Sequence, residues 1–362
     1  MKNKVAGILI GILLAMMMTV GCAAAEKTVL LTFTGDCTLG SDYSTYGRPR
    51  SFTEAATLKG YDYFFANYKE MFGKDDCTVI NLESVLSDYS SNENTSKTYR
   101  FRGPSDYVKI IKNSNIEACC LANNHSEDFG AANLKRTQDT LTANGIGWFR
   151  IMDTYTYEKD GIKIRFFAMD SKNLHKYYDW IRSEINRVKR SGEANAVVAV
   201  LHDGTEYDAK RRESQEKFAQ SVILNGADLV IMHHPHVVQG IDIINHRTVC
   251  YSLGNFCFGG NNEIREETYR DSIVTSLYSL VMQAEMHFDD NGKYIGQQIT
   301  LHPAFTSGDY PHNDYQPHPV TGAEAKQVMA AVQFDTNFPL PAADDATGVV
   351  TMPYLEAVYN DK

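Results

Sequence analysis

A chain of 362 residues with 43% apolar and 22% charged residues can bury a large core, and its composition is that of a globular protein rather than a fibrous or disordered one. Its net charge is −10, and the longest basic run is Lys210-Arg211-Arg212, which excludes nucleic acid as the main partner. A free polyanion is repelled by such a chain unless a metal or a local basic patch offsets the charge.

Lys2 and Lys4 precede an apolar run over residues 5–20, followed by Gly21, Cys22, Ala23, Ala24 and Ala25. This pattern reads as an export signal over residues 1–25. The run is shorter than the ~20 residues a membrane-spanning helix needs. Three outcomes stay open: lipidation at Cys22, cleavage before Glu26, or an uncleaved anchor. Val20-Gly21-Cys22 resembles a lipoprotein box, with Thr19 where Leu is usual. The expected location is the extracellular face of the cytoplasmic membrane, with attachment through an N-terminal lipid or anchor. The other six cysteines, Cys37, Cys77, Cys119, Cys120, Cys250 and Cys257, form no C-x-x-C pair, and most lie in apolar runs. Their redox state and pairing stay open.

From residue 28 onward, short β-rich apolar runs end abruptly in polar residues. Residues 28–33 lead into Gly35-Asp36. A helical pattern over 61–72 follows, then a run at 77–80 ending in Asn81-Leu82-Glu83-Ser84. Arg102 lies in Phe101-Arg102-Gly103-Pro104, ahead of a helical pattern at 105–113. Residues 116–121 lead into Asn123-Asn124-His125, before a helical pattern at 133–144. A strand at 161–170 ends in Asp170, and a helical pattern covers 178–190. Residues 196–201 lead into His202-Asp203-Gly204-Thr205-Glu206, and a helix over 215–225 is capped by Gly226. Residues 228–232 lead into His233-His234-Pro235-His236, and 248–251 into Ser252-Leu253-Gly254-Asn255. Late antiparallel strands over 272–298 surround the turn Asp289-Asp290-Asn291-Gly292. Residues 307–320 are rich in Pro, His, Tyr and Asp, 322–334 can form a helix, and 339–349 reads as a linker.

Apolar runs of this length mark strands buried on both faces, and their alternation with helices predicts an α/β fold. Ligands in such folds sit beyond the carboxyl ends of the strands, so these polar ends are expected to converge. The expected organisation is one domain over 27–305 and a C-terminal extension over 306–362.

The chemistry follows from the residue types. His234 and His236 alternate along an extended chain, so both can reach one metal cluster, whereas a surface loop needs no such grouping. Asn124 supplies a neutral carbonyl oxygen, and His125 after it can move a proton; the bland reading is a capped turn. Asp36 and Glu83 are strand-end carboxylates suited to a cation. Asn81 either binds substrate or braces Glu83. His202 directly follows a strand and is a ligand candidate. Glu206 is a base, a brace on a histidine, or a solvated loop acid. Asp128 either orients His125 or sits at a helix start. Arg102 either binds an anionic substrate group or makes a structural salt bridge. Ser252 and Asn255 lie in a loop expected to border the pocket. His302, His312 and His318 fall outside the pattern and read as structural or surface residues. Mixed imidazole, carboxylate and amide ligands suit Mn, Fe or Zn better than Ca or Mg.

In order and flanks, the series Gly35-Asp36, Asn81-x-Glu83, Asn123-Asn124-His125, His202-x-Gly204-x-Glu206-Tyr207, His234-Pro235-His236 and Ser252-Leu253-Gly254-Asn255-Phe256 resembles the CapA family of poly-γ-glutamate capsule proteins. That family is similar in fold to calcineurin-like metallophosphoesterases, which implies a layered α/β domain with two central sheets flanked by helices. The resemblance implies a divalent-metal centre of one or two ions held by Asp36, Glu83, Asn124, His202, His234 and His236. It implies a proton-donating role for His125, with Asp128 and Glu206 as catalytic candidates and Arg102, Ser252 and Asn255 as substrate-binding candidates. Dinuclear phosphoesterases usually begin Asp-x-His, and this chain has Thr38 at the second position. Asp203 replaces a common aromatic residue, and Met232 stands where Gly is usual. Two functions follow. One is metal-dependent hydrolase chemistry on a phosphoryl or carboxylate-rich peptide substrate. The other is a non-catalytic accessory subunit of a polyglutamate synthase that binds the anionic polymer through its metal site.

Overall fold

The computed structural model describes residues 26–264 and 273–359. The export signal expected over 1–25 lies outside them. Among the described residues, two sheets form the centre of the protein. In the first, Lys27–Thr38 runs parallel to Cys77–Leu82, which is parallel to Ala118–Cys120 and then Gly147–Phe149. The long hairpin Tyr278–Phe288 and Tyr294–Phe305 adds to the other side of Lys27–Thr38, antiparallel. In the second sheet, Ile162–Asp170, Ala196–His202, Leu229–His233 and Arg247–Cys250 are mutually parallel. Tyr155–Lys159 and Ile241–Ile244 close its edges, antiparallel.

The strands form where the sequence is continuously apolar because both faces are covered. Ala196–His202 and Leu229–His233 are buried at every position. Val29, Leu31 and Phe33 of the first sheet share one core with Ile164, Phe166, Val198 and Val200 of the second. The opposite face of the first sheet packs on a second core containing Phe64, Phe65, Tyr68, Ile110, Ile111 and Leu141. Helix Ser171–Ser191 covers the outer face of the second sheet with Ile181, Ile185 and Val188, one stripe at helical spacing. The layers are therefore helix, sheet, sheet, helix, the layered α/β arrangement with two central sheets expected from the sequence.

Three local differences have physical causes. The helical pattern at 61–72 resolves into a single turn at Tyr61–Tyr63 and a short helix at Lys69–Phe72. The Phe65, Tyr68 and Phe72 rings all pack on Phe256, at 5.9, 4.9 and 6.4 Å, and that shared anchor overrides weak aromatic helix propensity. Helix Phe52–Lys59 was silent in the sequence because only Phe52 and Ala56 are buried along it. The segment beyond residue 305 is not separate from the domain. His318–Pro319, Val350–Thr351 and Leu355–Glu356 all pair with Tyr294–Phe305, and Met329, Ala331, Val332 and Val350 enter the main core. The six described cysteines are buried and free. Burial pushes Cys37 and Cys250 up to about 12, which leaves them inert thiols.

One buried ion network ties the second sheet together. Asp228 is 1% exposed. It accepts from Lys189 Nζ at 2.8 Å, Arg247 Nε at 3.2 Å and the Val197 backbone N–H at 2.9 Å. Removing one partner of a buried pair strands the other charge. Asp228→Ala should therefore destabilise the fold by about 3–5 kcal/mol in chemical denaturation, against near-zero cost for the exposed pair Lys74–Glu70. A loss below about 1 kcal/mol would contradict the structural role assigned to Asp228.

Candidate metal centre

The carboxyl ends of the parallel strands face one point, and strand register places the side chains. Asp36 sits opposite Asn81 on one side and Asn255 on the other, and His202 sits opposite His233. Two glycines permit the close approach. A Cβ on Gly35 would stand 2.3 Å from the Gly254 carbonyl oxygen, which accepts the Asp36 N–H at 2.8 Å. A Cβ on Gly204, at φ 144°, would stand 2.8 Å from Pro235 Cγ, inside the histidine motif. His234 and His236 hold left-handed φ values of 103° and 56°, local strain that the surrounding packing sustains.

Glu83 is the centre of the cluster. It is fully buried, and among the described residues neither carboxylate oxygen has a hydrogen-bond partner. Its Oε1 lies 3.4 Å from His202 Nε2 and 4.0 Å from both His236 Nε2 and His125 Nε2. Around His202 Nε2 stand Asn124 Oδ1 at 2.8 Å and His234 Nδ1 at 3.1 Å. Donor atoms held about 2.0–2.2 Å from one ion are separated by roughly 3.0–3.5 Å, and the contacts of His202 Nε2, from 2.8 to 3.4 Å, are close to that spacing. Two sets of three, Glu83 with His234 and His236, and Asp36 with Glu83 and His202, each bring ligand atoms within 4.8 Å of one another. Glu83 belongs to both sets, so it would be a ligand in either one.

The electrostatics fit a cation. Burial, and then the negative Asp36, push the Glu83 carboxyl far above the ordinary range. Burial alone would raise Asp36 too, but His233 and His236 outweigh it and hold Asp36 well below that range. Burial lowers His236, yet Glu83 and Asp36 prevail and raise it to about 10. The ring thus supplies, as a proton, the positive charge that a metal would supply. Burial and then His234 hold His202 well down, and burial and then His236 hold His234 down to about 4. Both are neutral imidazoles at neutral pH, the form that ligates metal.

A second layer aims these groups. Asn81 donates to Asp36 Oδ1 at 2.8 Å and lies 3.3 Å from His202 Nδ1, so it braces Asp36 and His202 rather than Glu83. Asn123 in turn donates to Asn81 Oδ1 at 3.1 Å. Asn255 Oδ1 meets His236 Nδ1 at 2.9 Å, turning Nε2 toward Glu83. Ser252 is buried and its hydroxyl accepts the Gly254 N–H at 3.2 Å, shaping the turn behind Asp36.

His125 forms a dyad beside the centre. Its Nδ1 donates to Asp128 Oδ2 at 2.6 Å, which leaves Nε2 facing Glu83. Asp128 also accepts the Phe101 N–H at 2.8 Å and the Lys97 ammonium. The Phe101 ring lies 4.3 Å from the imidazole and walls it from water. Burial lowers His125 despite Asp128, so Nε2 is free to take a proton at neutral pH.

The structure brings Asp36, Glu83, Asn124, His125, Asp128, His202, His234 and His236 together. Glu206 is exposed at the rim and makes no hydrogen bond among the described residues, although its charge acts on Glu83 and His236. Arg102 points elsewhere: it donates to the Ser87 carbonyl at 2.8 Å and lies over Tyr46 and Phe129. Asp170 caps helix Ser171–Ser191 by accepting the Asn173 N–H. The sequence reading missed Lys97 and His233. Lys97 lies in a polar stretch with no periodicity to mark it. His233 was visible in its motif, and its Nδ1 lies 3.1 Å from Asp36 Oδ1.

The capsule biosynthesis protein CapA of Bacillus anthracis is 29% identical over 260 residues, covering 64% of this chain and 60% of that protein. The PGA biosynthesis protein CapA of Bacillus subtilis (strain 168) is 26% identical over 256 residues, covering 65% of this chain and 67% of its own length. This chain thus spans about three fifths to two thirds of the relatives it matches. The NAD nucleotidase structure from Haemophilus influenzae aligns with 88% of this chain and 57% of its own, at 13% identity and a TM-score of 0.45. The family model described as bacterial capsule synthesis protein PGA_cap matches residues 30–260. With well over half its length inside that model, the chain belongs to the PGA_cap family of bacterial capsule synthesis proteins.

Proposed function

We propose that this protein is an exported, metal-dependent component of capsular poly-γ-glutamate synthesis or export, with hydrolase-type chemistry on a phosphoryl or carboxylate-rich peptide substrate. The relatives named for capsule and PGA biosynthesis support the pathway. The observation that carries the chemistry is Glu83: a buried carboxylate ringed by imidazoles, with neither oxygen partnered among the described residues. An unpaired buried anion costs several kcal/mol, and a divalent cation removes that cost. Mn, Fe or Zn suits the donor set, as one ion or two. Bound there, such an ion supplies polarisation of a carbonyl or phosphoryl oxygen and a more acidic water.

The chain's own groups complete the site. Asp128 fixes the His125 tautomer and aims Nε2 at the centre. His125 then takes a proton at Nε2 in one half of a reaction and returns it to a leaving group in the other. Phe101 and Phe258 wall His125 and His236 from bulk water.

A second reading rests on Thr38. Its hydroxyl donates to the Glu83 backbone carbonyl at 3.3 Å and adds no strong metal donor where phosphoesterases place a histidine. This favours an accessory subunit that binds polymer carboxylates, beside polyglutamate synthase subunits, without turnover.

His125→Asn separates the two readings. If the protein is an enzyme, the variant should keep its metal, measured by elemental analysis, and lose about 10²–10⁴-fold in turnover of a phosphodiester or poly-γ-glutamate. Asp128→Asn should lose less. Loss of metal in His125→Asn would make His125 a ligand, and wild type that binds polymer without turnover would establish the accessory role.

Membrane attachment through residues 1–25 is tested by Cys22→Ala. Release from the membrane fraction is expected if Cys22 is lipidated. Retention points to an uncleaved anchor, and a soluble wild type to cleavage before Glu26.

A further inference from the structure

Residues 99–102 alternate as the chain enters Phe101–Gly103, the middle strand of a small sheet between Ser41–Asp42 and Val85–Leu86. Tyr99 and Phe101 stack on each other at 6.5 Å on the face toward His125. Arg100 and Arg102 face the other way, into a pocket of about 490 Å³ that also takes Arg48, Tyr43 and Tyr46. Three arginines and one carboxylate, Glu93, line it, in a chain of net charge −10.

Their charges are only partly offset. Arg100 pairs with Glu93 at 2.5 Å. Among the described residues, Arg48 and Arg102 have no carboxylate within ion-pair distance. Arg102 spends one N–H on the Ser87 carbonyl and holds its guanidinium 5.0 Å from the Tyr46 ring centre and 5.7 Å from that of Phe129. Its other donors make no hydrogen bond among the described residues, and a planar guanidinium flanked by rings suits carboxylate oxygens carried on methylene stems. Phe129 lines this pocket and directly follows Asp128 in the chain. Ser44 lines both this pocket and a neighbouring one that reaches Tyr207, whose ring lies 6.1 Å from His236.

We propose that the Arg48–Arg100–Arg102 pocket is a second anion subsite that holds carboxylates of a chain-like polycarboxylate while another part of the same chain occupies the metal centre. The identity of that chain as poly-γ-glutamate rests on the reading above; the pocket's preference for carboxylates does not. An acidic protein thereby gains a local basic seat for a polymer that its overall charge repels.

Isothermal titration of the full-length protein tests this with two probes of equal length, a short γ-linked glutamate oligomer and its α-linked counterpart. Arg102→Met should weaken γ-linked oligomer binding by roughly tenfold to a hundredfold without changing metal content, and Arg102→Lys should recover only part of it. Arg48 is exposed, so Arg48→Met carries the same test without risk to folding, with a smaller loss expected. If only the α-linked oligomer binds, and does so through Arg102, the subsite stands and the poly-γ-glutamate reading falls. If the γ-linked oligomer binds equally well to wild type and both variants, the subsite is overturned and the polymer reading survives. If neither oligomer binds wild type, the subsite is overturned.

Discussion

Two carboxylates buried side by side set the terms for this molecule. Asp36 and Glu83 are both fully buried at the ends of adjacent strands, and the negative Asp36 makes Glu83 harder to ionise. Desolvating one such charge costs several kcal/mol and desolvating two costs more, unless positive charge is built in. Much of the structure around them serves that need. His233 and His236 reach Asp36, while His202, His236 and His125 approach Glu83. His236 carries that charge, raised to about 10, while His202, His234 and His125 are held low, and among the described residues both Glu83 oxygens have no hydrogen-bond partner.

The two sheets make that arrangement possible. Parallel strands bring their carboxyl ends to one edge, and each end contributes one or two residues in fixed register. Covered faces allow the strands to be wholly apolar, so polar residues fall at the ends, where water or a ligand can reach them. The glycines at 35 and 204 then let neighbouring turns close in on the site. The ribbon bearing Phe101 and Arg102 splits its alternating side chains between the His125 wall and a basic pocket, so one short strand serves both.

Much of this was legible in the sequence because strand-end chemistry is local. A run of buried β-branched residues followed by Asp, Glu, Asn or His marks a strand and its functional tip together, and Asp36, Glu83, Asn124, His125, His202, His234 and His236 do converge. What was not legible depends on contacts distant in sequence. Lys97 matters through Asp128, 31 residues away. Ser252 and Asn255 border the site but are buried behind it, which burial alone reveals. Arg102 lines the far face of its ribbon because the strand pairing, not its motif, sets its direction. The C-terminal segment looked like an extension because its paired strands are only two residues long, too short for a periodic signal.

The central claim is that Glu83 would be held by a metal ion together with the surrounding imidazoles. Anomalous diffraction at the Mn, Fe and Zn edges, from crystals of protein purified without chelator, tests it most directly. The account predicts one or two anomalous peaks about 2.0–2.3 Å from Glu83 oxygens, flanked by His202, His234 and His236, and their loss in Glu83→Gln. Well-ordered Glu83 with no anomalous peak beside it, in crystals grown with those metals in excess, would contradict it.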